Sequence, residues 1–194
     1  MATEIELKAH ITNPHDIMLK LSRLTAFTGA FNKYDIFYTS LENPGISPYG
    51  VRVRKQTTVA PNGKQEKTNF VTYKSKVIQD GIEVNDEKEF EVSSSDIFEE
   101  FLSRLGFTES IRKHKEGDSF DYDGMTVELT NVESLGWFLE LEVLLPERDT
   151  KKIDHEKEKL LRFIDRLEIP RESIESRSYT VMLTELSANN PRPE

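Results

Sequence analysis

The amino-acid sequence predicts an α+β protein in which a mostly antiparallel β-sheet carries a few helices. Apolar residues recur two apart in segment after segment of the chain, which is typical of half-buried strands. Turn sequences such as "PNGK" and "DYDG" separate these segments, and tight turns of this kind join antiparallel neighbours. Helical spacing is confined to a few stretches, so the sheet dominates the predicted fold.

The pattern predicts about eight strands. In chain order they are "TEIELKAHI", "AFNKYDIFYTS", "YGVRVRKQT", "KTNFVTYKSKVI", "IEVNDEKEFEV", "SIRKHKEG", "MTVELTNV" and "WFLELEVLL". Each of these segments keeps its apolar residues on one face and its polar residues on the other.

Helices are predicted at four places between and after the strands. The first covers 13–25, where Asn13 is a capping residue. The second covers 94–105, and the third runs through "KKIDHEKEKLLRFIDRL". A short helix is expected after Ser178. The strands and helices together predict one domain over 1–187, with a flexible tail over 188–194.

Composition excludes several classes of protein. The 194 residues include no cysteine, which rules out disulfides and thiolate metal sites and favours a cytoplasmic protein. The net charge of -9 argues against a nucleic-acid partner. No apolar run is long enough to span a bilayer, so no membrane partner is expected. Phosphate chemistry, if there is any, must come from local basic clusters.

The strand faces carry an unusual pattern of charge. In the first strand Glu4, Glu6 and Lys8 share one face, while Ile5 and Leu7 share the other. Five further strands place at least two charges on one face, and most of them keep a single sign. These charges are Arg52 and Arg54, Lys74 and Lys76, Glu87, Glu89 and Glu91, Lys113 and Lys115, and Glu140 and Glu142.

Two interpretations of the charged faces remain open at this point. A solvated outer face of the sheet explains simple alternation. A closed sheet with the charges pointing inward would instead set basic walls against acidic walls and bind a polyanion together with a cation. Such an interior requires water, metal and ligand to balance its charges.

The motifs resemble those of a known family. "EIELK" has the form E-x-E-x-K that opens members of the CYTH superfamily, the triphosphate tunnel metalloenzymes. The likeness continues in order through "GVRVR", "FVTYKSK", "IRKHK", "NVESLGWFLELEV" and "SRSYTVMLTEL", and it covers nearly the whole chain. It is strongest to the class IV adenylyl cyclase-like and thiamine triphosphatase-like branch of the superfamily.

The resemblance implies an eight-stranded antiparallel β-barrel, or tunnel, with helices packed on its outside and Mg²⁺ or Mn²⁺ as cofactor. It implies phosphate-binding roles for Lys8, Arg52, Arg54, Lys74, Lys113 and Lys115. It implies metal-binding roles for Glu4, Glu6, Glu140 and Glu142, to which Glu128 is added as a further candidate. The predicted catalytic residues are Glu4, Glu6, Lys8 and Lys76.

Several residues depart from the family pattern. Thr130 stands where the family usually carries a metal-binding Asp, and Glu128 lies two residues away on the same face. Phe37 stands at the Tyr position of the family's D-x-Y motif, whose Asp is retained as Asp35. Glu87 stands where the family usually carries a basic residue. These changes are expected to weaken activity or to alter the choice of substrate.

The predicted function is hydrolysis of the terminal phosphate of a triphosphate by a divalent-metal-dependent enzyme. The predicted substrates are ATP, inorganic tripolyphosphate or thiamine triphosphate. One alternative is cyclisation of ATP to cyclic AMP and pyrophosphate, and the other is a non-catalytic module that binds polyphosphate or nucleotide. The chain is expected to be a monomer or a homodimer. Tyr179 is expected either to cover one end of the tunnel or to anchor the core.

Overall fold

The computed structural model describes residues 3–40, 50–79, 82–146 and 150–189. It contains eight strands and four α-helices in this part of the chain. The strands are β1 (Thr3–His10), β2 (Ala26–Thr39), β3 (Val51–Val59), β4 (Gln65–Gln79), β5 (Ile82–Glu91), β6 (Thr108–Tyr122), β7 (Met125–Val132) and β8 (Gly136–Leu145). The helices are α1 (Pro14–Leu24), α2 (Ser95–Arg104), α3 (Thr150–Arg166) and α4 (Tyr179–Asn189).

The eight strands form a closed antiparallel barrel. Their order around it is β1, β5, β4, β3, β2, β6, β7 and β8, and β8 pairs with β1 to complete the circle. The predicted fold class, an eight-stranded antiparallel barrel with helices on the outside, is therefore confirmed. Closure leaves none of these eight strands at an unpaired edge and gives each of them one inward and one outward face.

The helices begin where the sequence predicts. The Asn13 side chain accepts a hydrogen bond from the Asp16 backbone N–H at the start of α1. The Ser94 hydroxyl accepts one from the Ile97 backbone N–H at the start of α2. Both contacts satisfy backbone donors that a helix start leaves without partners. The predicted tail over 188–194 is described only at its first two residues, which belong to α4.

An apolar core lies between the barrel and helices α1 and α3. Leu7 of β1 and Leu141 of β8 point outward and are fully buried. They belong to the same core cluster as Leu21 of α1 and Leu160 and Ile164 of α3. Burial of each such side chain stabilises the folded state by about 1.5–3 kcal/mol. Because this core lies outside the strands, the interior of the barrel is left to polar side chains.

Two smaller apolar clusters complete the packing. Leu102 of α2 packs on Tyr38 and Val53 at the outer face of β2 and β3. Tyr179 and Met182 of α4 pack on inward-facing side chains of β7 and β8, namely Val132 and Phe138. Helix α4 thus reaches the barrel interior at the end where β8 begins. Among the described residues, every helix is too short or too polar to traverse a bilayer.

A glycine allows β6 and β7 to approach each other closely near the centre of the barrel. Gly117 of β6 lies between Phe31 of β2 and Thr130 of β7 in the strand register. A Cβ atom at Gly117 would overlap the backbone carbonyl oxygen of Leu129. Only glycine fits this position without displacing backbone.

Candidate functional site

Charged side chains occupy the interior of the barrel. Glu4, Lys8, Lys113, Lys115 and Glu140 each expose 8% or less of their surface. They lie on the strand faces opposite the outer apolar core, so they point inward. The half-buried members on the same inward faces are Glu6, Arg52, Arg54, Glu128 and Glu142. Of the two interpretations of the charged faces, the inward-facing one describes this barrel.

Two predicted site residues can be placed only by their backbone. Lys74 and Lys76 lie in β4, where they pair with Glu87 and Asn85 of β5. Their side chains lie outside the described part of the structure. Their predicted roles stay predictions.

Asp35 joins two of the predicted phosphate-binding residues. Its carboxylate accepts hydrogen bonds from Arg54 Nε and Nη2 at 2.7 and 2.9 Å, and Lys113 Nζ lies 3.0 Å away. The Asp35 side chain is fully buried. Burial opposes its charge, but Arg54 and Lys113 outweigh burial and hold the Asp35 pKa well below its usual range. The paired carboxylate fixes both cations in the barrel wall.

Arg52 is held by a second group of polar side chains. Its Nη2 donates to Thr72 Oγ1 at 2.8 Å and to Glu89 at 3.0 Å. The Thr72 hydroxyl in turn donates to Glu89 at 2.7 Å. These contacts orient the guanidinium toward the interior, and the geometry of a guanidinium suits the oxygens of a phosphate group.

A third group contains two lysines and two glutamates. Lys33 Nζ lies 2.5 Å from Glu128 Oε1. Lys115 Nζ lies 3.1 Å from Glu128 and 2.8 Å from both oxygens of Glu140. Burial raises the pKa of the Glu128 carboxyl, but Lys115 and Lys33 outweigh burial and bring this pKa to about 2. Glu128 is therefore held as a carboxylate paired with two lysines.

Lys33 was missed as a site residue by the sequence analysis. It is 9% exposed and faces the interior from β2. In "FNKYDIF" Lys33 and Asp35 share one strand face, so the alternation that selected the other charges could have found it. The D-x-Y motif of the family includes only the positions of Asp35 and Phe37, so the resemblance did not select Lys33.

The predicted metal-binding carboxylates lie on three adjacent strands. In the register Glu6 of β1 is opposite Glu142 of β8, and Glu140 of β8 is opposite Glu128 of β7. Within the described residues, no three acidic or histidine side chains come close enough to enclose one ion. Mg²⁺ commonly uses one or two carboxylates together with substrate phosphates and water. The paired carboxylates of β1, β7 and β8 fit that mode of binding.

Tyr179, the first residue of α4, lies next to two lysines of the site. Its ring packs edge-to-face on Phe138 with centroids 4.9 Å apart. The ring centroid lies 5.6 Å from Lys8 Nζ and 5.3 Å from Lys113 Nζ. The hydroxyl is buried and lies near Glu140. Burial, followed by the charge of Glu140, raises the Tyr179 pKa, so this hydroxyl stays protonated. Of the two expectations for Tyr179, the core anchor is confirmed, because the ring packs in the cluster with Val132, Phe138 and Met182. That Tyr179 covers one end of the tunnel stays a prediction.

A cavity of about 420 Å³ opens at the other end of the barrel. This volume falls within the range of small-molecule pockets. Its lining includes Phe31, Lys33, Gln56, Thr58 and Glu128. The cavity gives a small ligand access to the charged interior.

The comparisons with known proteins agree with this architecture. Residues 2–179 match the family model of the CYTH domain, and the chain belongs to that family. A Methanocaldococcus jannaschii protein named "putative adenylate cyclase" is 25% identical over 179 residues, which cover 91% of this chain and 95% of that protein.

Solved structures share the fold over almost the whole chain. A Pyrococcus horikoshii protein superposes with a TM-score of 0.77 at 28% identity, and the match covers 94% of this chain and 99% of that one. A Hippeastrum protein described as a "putative adenylyl cyclase" with a dominant triphosphatase activity has a TM-score of 0.64 at 16% identity. That match covers 97% of this chain and 96% of the other, and it shows the fold alone.

Proposed function

We propose that this chain is a divalent-metal-dependent triphosphatase that binds a small triphosphate inside the barrel and hydrolyses its terminal phosphate. The observation that carries the proposal is the set of buried cations in the barrel wall. Arg54 and Lys113 meet at Asp35, and Lys8 is 2% exposed. Buried cations are costly unless anions balance them. Family membership supports triphosphate chemistry at this position.

Each basic residue has a distinct part in the proposed reaction. Arg52 and Arg54 bind phosphate oxygens through their planar forks of N–H donors. Lys8 and Lys113 add point charges on the side of the barrel where Tyr179 packs. A water oxygen attacks the terminal phosphorus, and the bond to the bridging oxygen breaks, which releases orthophosphate and a diphosphate. One proton of the water stays on the orthophosphate and the other passes to solvent. The lysines and arginines neutralise the charge that moves onto the departing diphosphate.

The acidic side of the barrel serves the metal in this proposal. Glu4, Glu6, Glu140 and Glu142 are the residues that would hold Mg²⁺ or Mn²⁺. When bound, such an ion neutralises phosphate charge and favours ionisation of water. Glu4 and Glu6 also orient the attacking water, and Lys76 is proposed to assist Lys8 at the departing oxygen.

The second candidate is an adenylyl cyclase, because the M. jannaschii relative carries that name over most of both chains. Cyclisation requires the ribose 3′ hydroxyl to reach the α-phosphorus, so the adenosine must be held in a fixed orientation. Hydrolysis needs only a positioned water. We therefore place hydrolysis first, and the products distinguish the two reactions.

The decisive experiment is phosphorus NMR of the purified protein with ATP, tripolyphosphate and thiamine triphosphate, each with Mg²⁺ and with Mn²⁺. Orthophosphate with a diphosphate product is the expected result. Cyclic AMP with pyrophosphate would establish the cyclase instead. Tight calorimetric binding of a non-hydrolysable triphosphate without turnover would leave only a binding module.

The first prediction concerns the acidic side of the site. The double substitution Glu140→Gln and Glu142→Gln should lower metal-dependent phosphate release by at least about a hundredfold, as expected when charged groups that stabilise the transition state are lost. Glu100→Gln is the matched control, since Glu100 pairs with Arg104 on the exposed surface of α2. Wild-type turnover in the double variant would remove both residues from the site.

A further inference from the structure

The group formed by Lys33, Lys115, Glu128 and Glu140 has a regular geometry. Glu128 and Glu140 are directly opposite in the register of β7 and β8, and Lys33 and Lys115 are directly opposite in that of β2 and β6. Two like charges at such positions repel each other. In this barrel each ammonium group contacts a carboxylate instead, so charges of opposite sign alternate.

The Lys33 side chain is held in the barrel interior and is largely shielded from solvent. Its side chain is 11% exposed, and that of Glu128 is 14% exposed. The Phe31 ring lies beneath both lysines, with its centroid 4.2 Å from Lys33 Nζ and 5.7 Å from Lys115 Nζ. Ring contact and ion pairing together hold both ammonium groups at the carboxylates.

The neighbouring position on β7 supplies no carboxylate. Thr130 is fully buried, and its hydroxyl donates a hydrogen bond to the Glu116 backbone carbonyl at 3.3 Å. Glu128 is thus the acidic residue that β7 directs into the interior beside Glu140, and both of its oxygens contact lysines.

We propose that the Lys33 ammonium group acts as a fixed cation at Glu128 and excludes this carboxylate from the divalent-metal site. Glu140 differs from Glu128 because its two oxygens share one lysine, Lys115, whereas Glu128 contacts two lysines. The ion is then left to Glu140 and Glu142 of β8 and to the glutamates of β1. This inference rests on the proposed metal-dependent function and deepens it. Lys33 is part of the chain, so its charge balances the acidic wall whether or not an ion is bound, whereas a dissociable ion does so only when bound.

The second prediction tests this role by a Mn²⁺ titration. Electron paramagnetic resonance measures the free ion, and the difference from the total gives the Mn²⁺ bound to the protein. In Lys33→Met, Glu128 keeps only its contact with Lys115. We expect Mn²⁺ affinity to rise by about tenfold or more, the range over which residues around a metal site change metal affinity. Adding Glu128→Gln to this variant should abolish the gain.

Two controls make the result specific. Lys113→Met removes the same charge from the barrel but contacts Asp35 instead of Glu128, so it should not create the new Mn²⁺ affinity. Glu128→Gln in the presence of Lys33 should leave Mn²⁺ affinity unchanged, and this variant decides the question if Lys33→Met does not fold.

Either of two results would overturn the inference: unchanged Mn²⁺ affinity in a folded Lys33→Met protein, or a tenfold loss in Glu128→Gln alone. Failure of the proposed function is distinguishable, because it would appear as absent phosphate release by the wild-type protein. Mn²⁺ counting does not depend on turnover.

Discussion

Lys113 is the residue whose protonation links the site to pH. It lies deep in the barrel wall with its Nζ 3.0 Å from Asp35. Burial lowers the Lys113 pKa to about 8, and the nearby cations Lys115, Arg54 and Arg52 act in the same direction. Asp35 opposes this shift. Lys113 therefore loses its charge closer to neutral pH than Lys115 and Arg54, whose pKa values are raised.

The third prediction follows from the sign of that shift. A bound triphosphate favours the protonated ammonium group, so it raises the Lys113 pKa in the complex. Affinity should be greatest below pH 8 and should fall by up to about tenfold per pH unit above it, the linkage expected for one proton. Calorimetry with a non-hydrolysable triphosphate across this range measures the slope.

Lys113→Arg provides the control for this slope. A guanidinium stays charged throughout the range, so its affinity should change little between about pH 8 and pH 10. A wild-type affinity that stays flat across the same range would show that Lys113 does not carry the dependence.

At the scale of elements, β6 arranges the site in two ways. It supplies Lys113 and Lys115 to the interior, and Gly117 lets it lie against β7 next to Thr130. Because any side chain at Gly117 would overlap the Leu129 carbonyl oxygen, the distance between β6 and β7 depends on this glycine. The contacts of Lys115 with Glu128 and Glu140 depend on the same distance.

The fourth prediction is that Gly117→Ala destabilises the barrel. The added methyl group should force the two strands apart and lower the free energy of unfolding by about 1–3 kcal/mol, as overpacked cores do. Glu116→Ala is the control on the adjacent outward-facing position, with an expected change below about 0.5 kcal/mol. Urea denaturation measures both, and equal stability of the two variants would contradict the strand-contact argument.

The strands and their faces could be predicted from the sequence because one side of each is apolar. Alternation located the interior charges Glu4, Lys8, Lys113, Lys115 and Glu140, and their burial agrees with it. Strand ends were less predictable: β2 starts at Ala26 and β6 runs to Tyr122, where the alternation weakens. The pairing of Lys33 with Glu128 spans 95 positions of the chain, and alternation carries no information on such distant partners.

At the scale of the whole molecule, two kinds of interior coexist. The apolar core lies outside the barrel, under α1 and α3, and it supplies the stability that a charged interior does not provide. The barrel interior is therefore free to carry paired charges at the cost of some stability. A polyanion that binds there should stabilise the fold as a whole, because its site exists only when all strands have closed.

The fifth prediction is that a bound polyanion raises the Tm of the protein. Tripolyphosphate at 100 times its dissociation constant should add about 2.7 kcal/mol to the free energy of unfolding, which corresponds to roughly 5–10 °C in Tm for a domain of this size. Arg54→Ala should lose most of the shift. Arg162→Ala, which removes an exposed cation paired with Glu158 on α3, should retain it.

Scanning calorimetry provides the measurement. The tunnel assignment would fail if the wild-type Tm did not respond to tripolyphosphate, or if Arg54→Ala responded as fully as Arg162→Ala. Buffer salt is held constant in all samples, because added ions screen surface charges.

The cluster of Val132, Phe138, Tyr179 and Met182 gives the two ends of the barrel different properties. These side chains are all 6% exposed or less and pack the interior at the α4 end, whereas the cavity lies at the opposite end. Under the proposed function, we expect the triphosphate to enter and its products to leave through the cavity end.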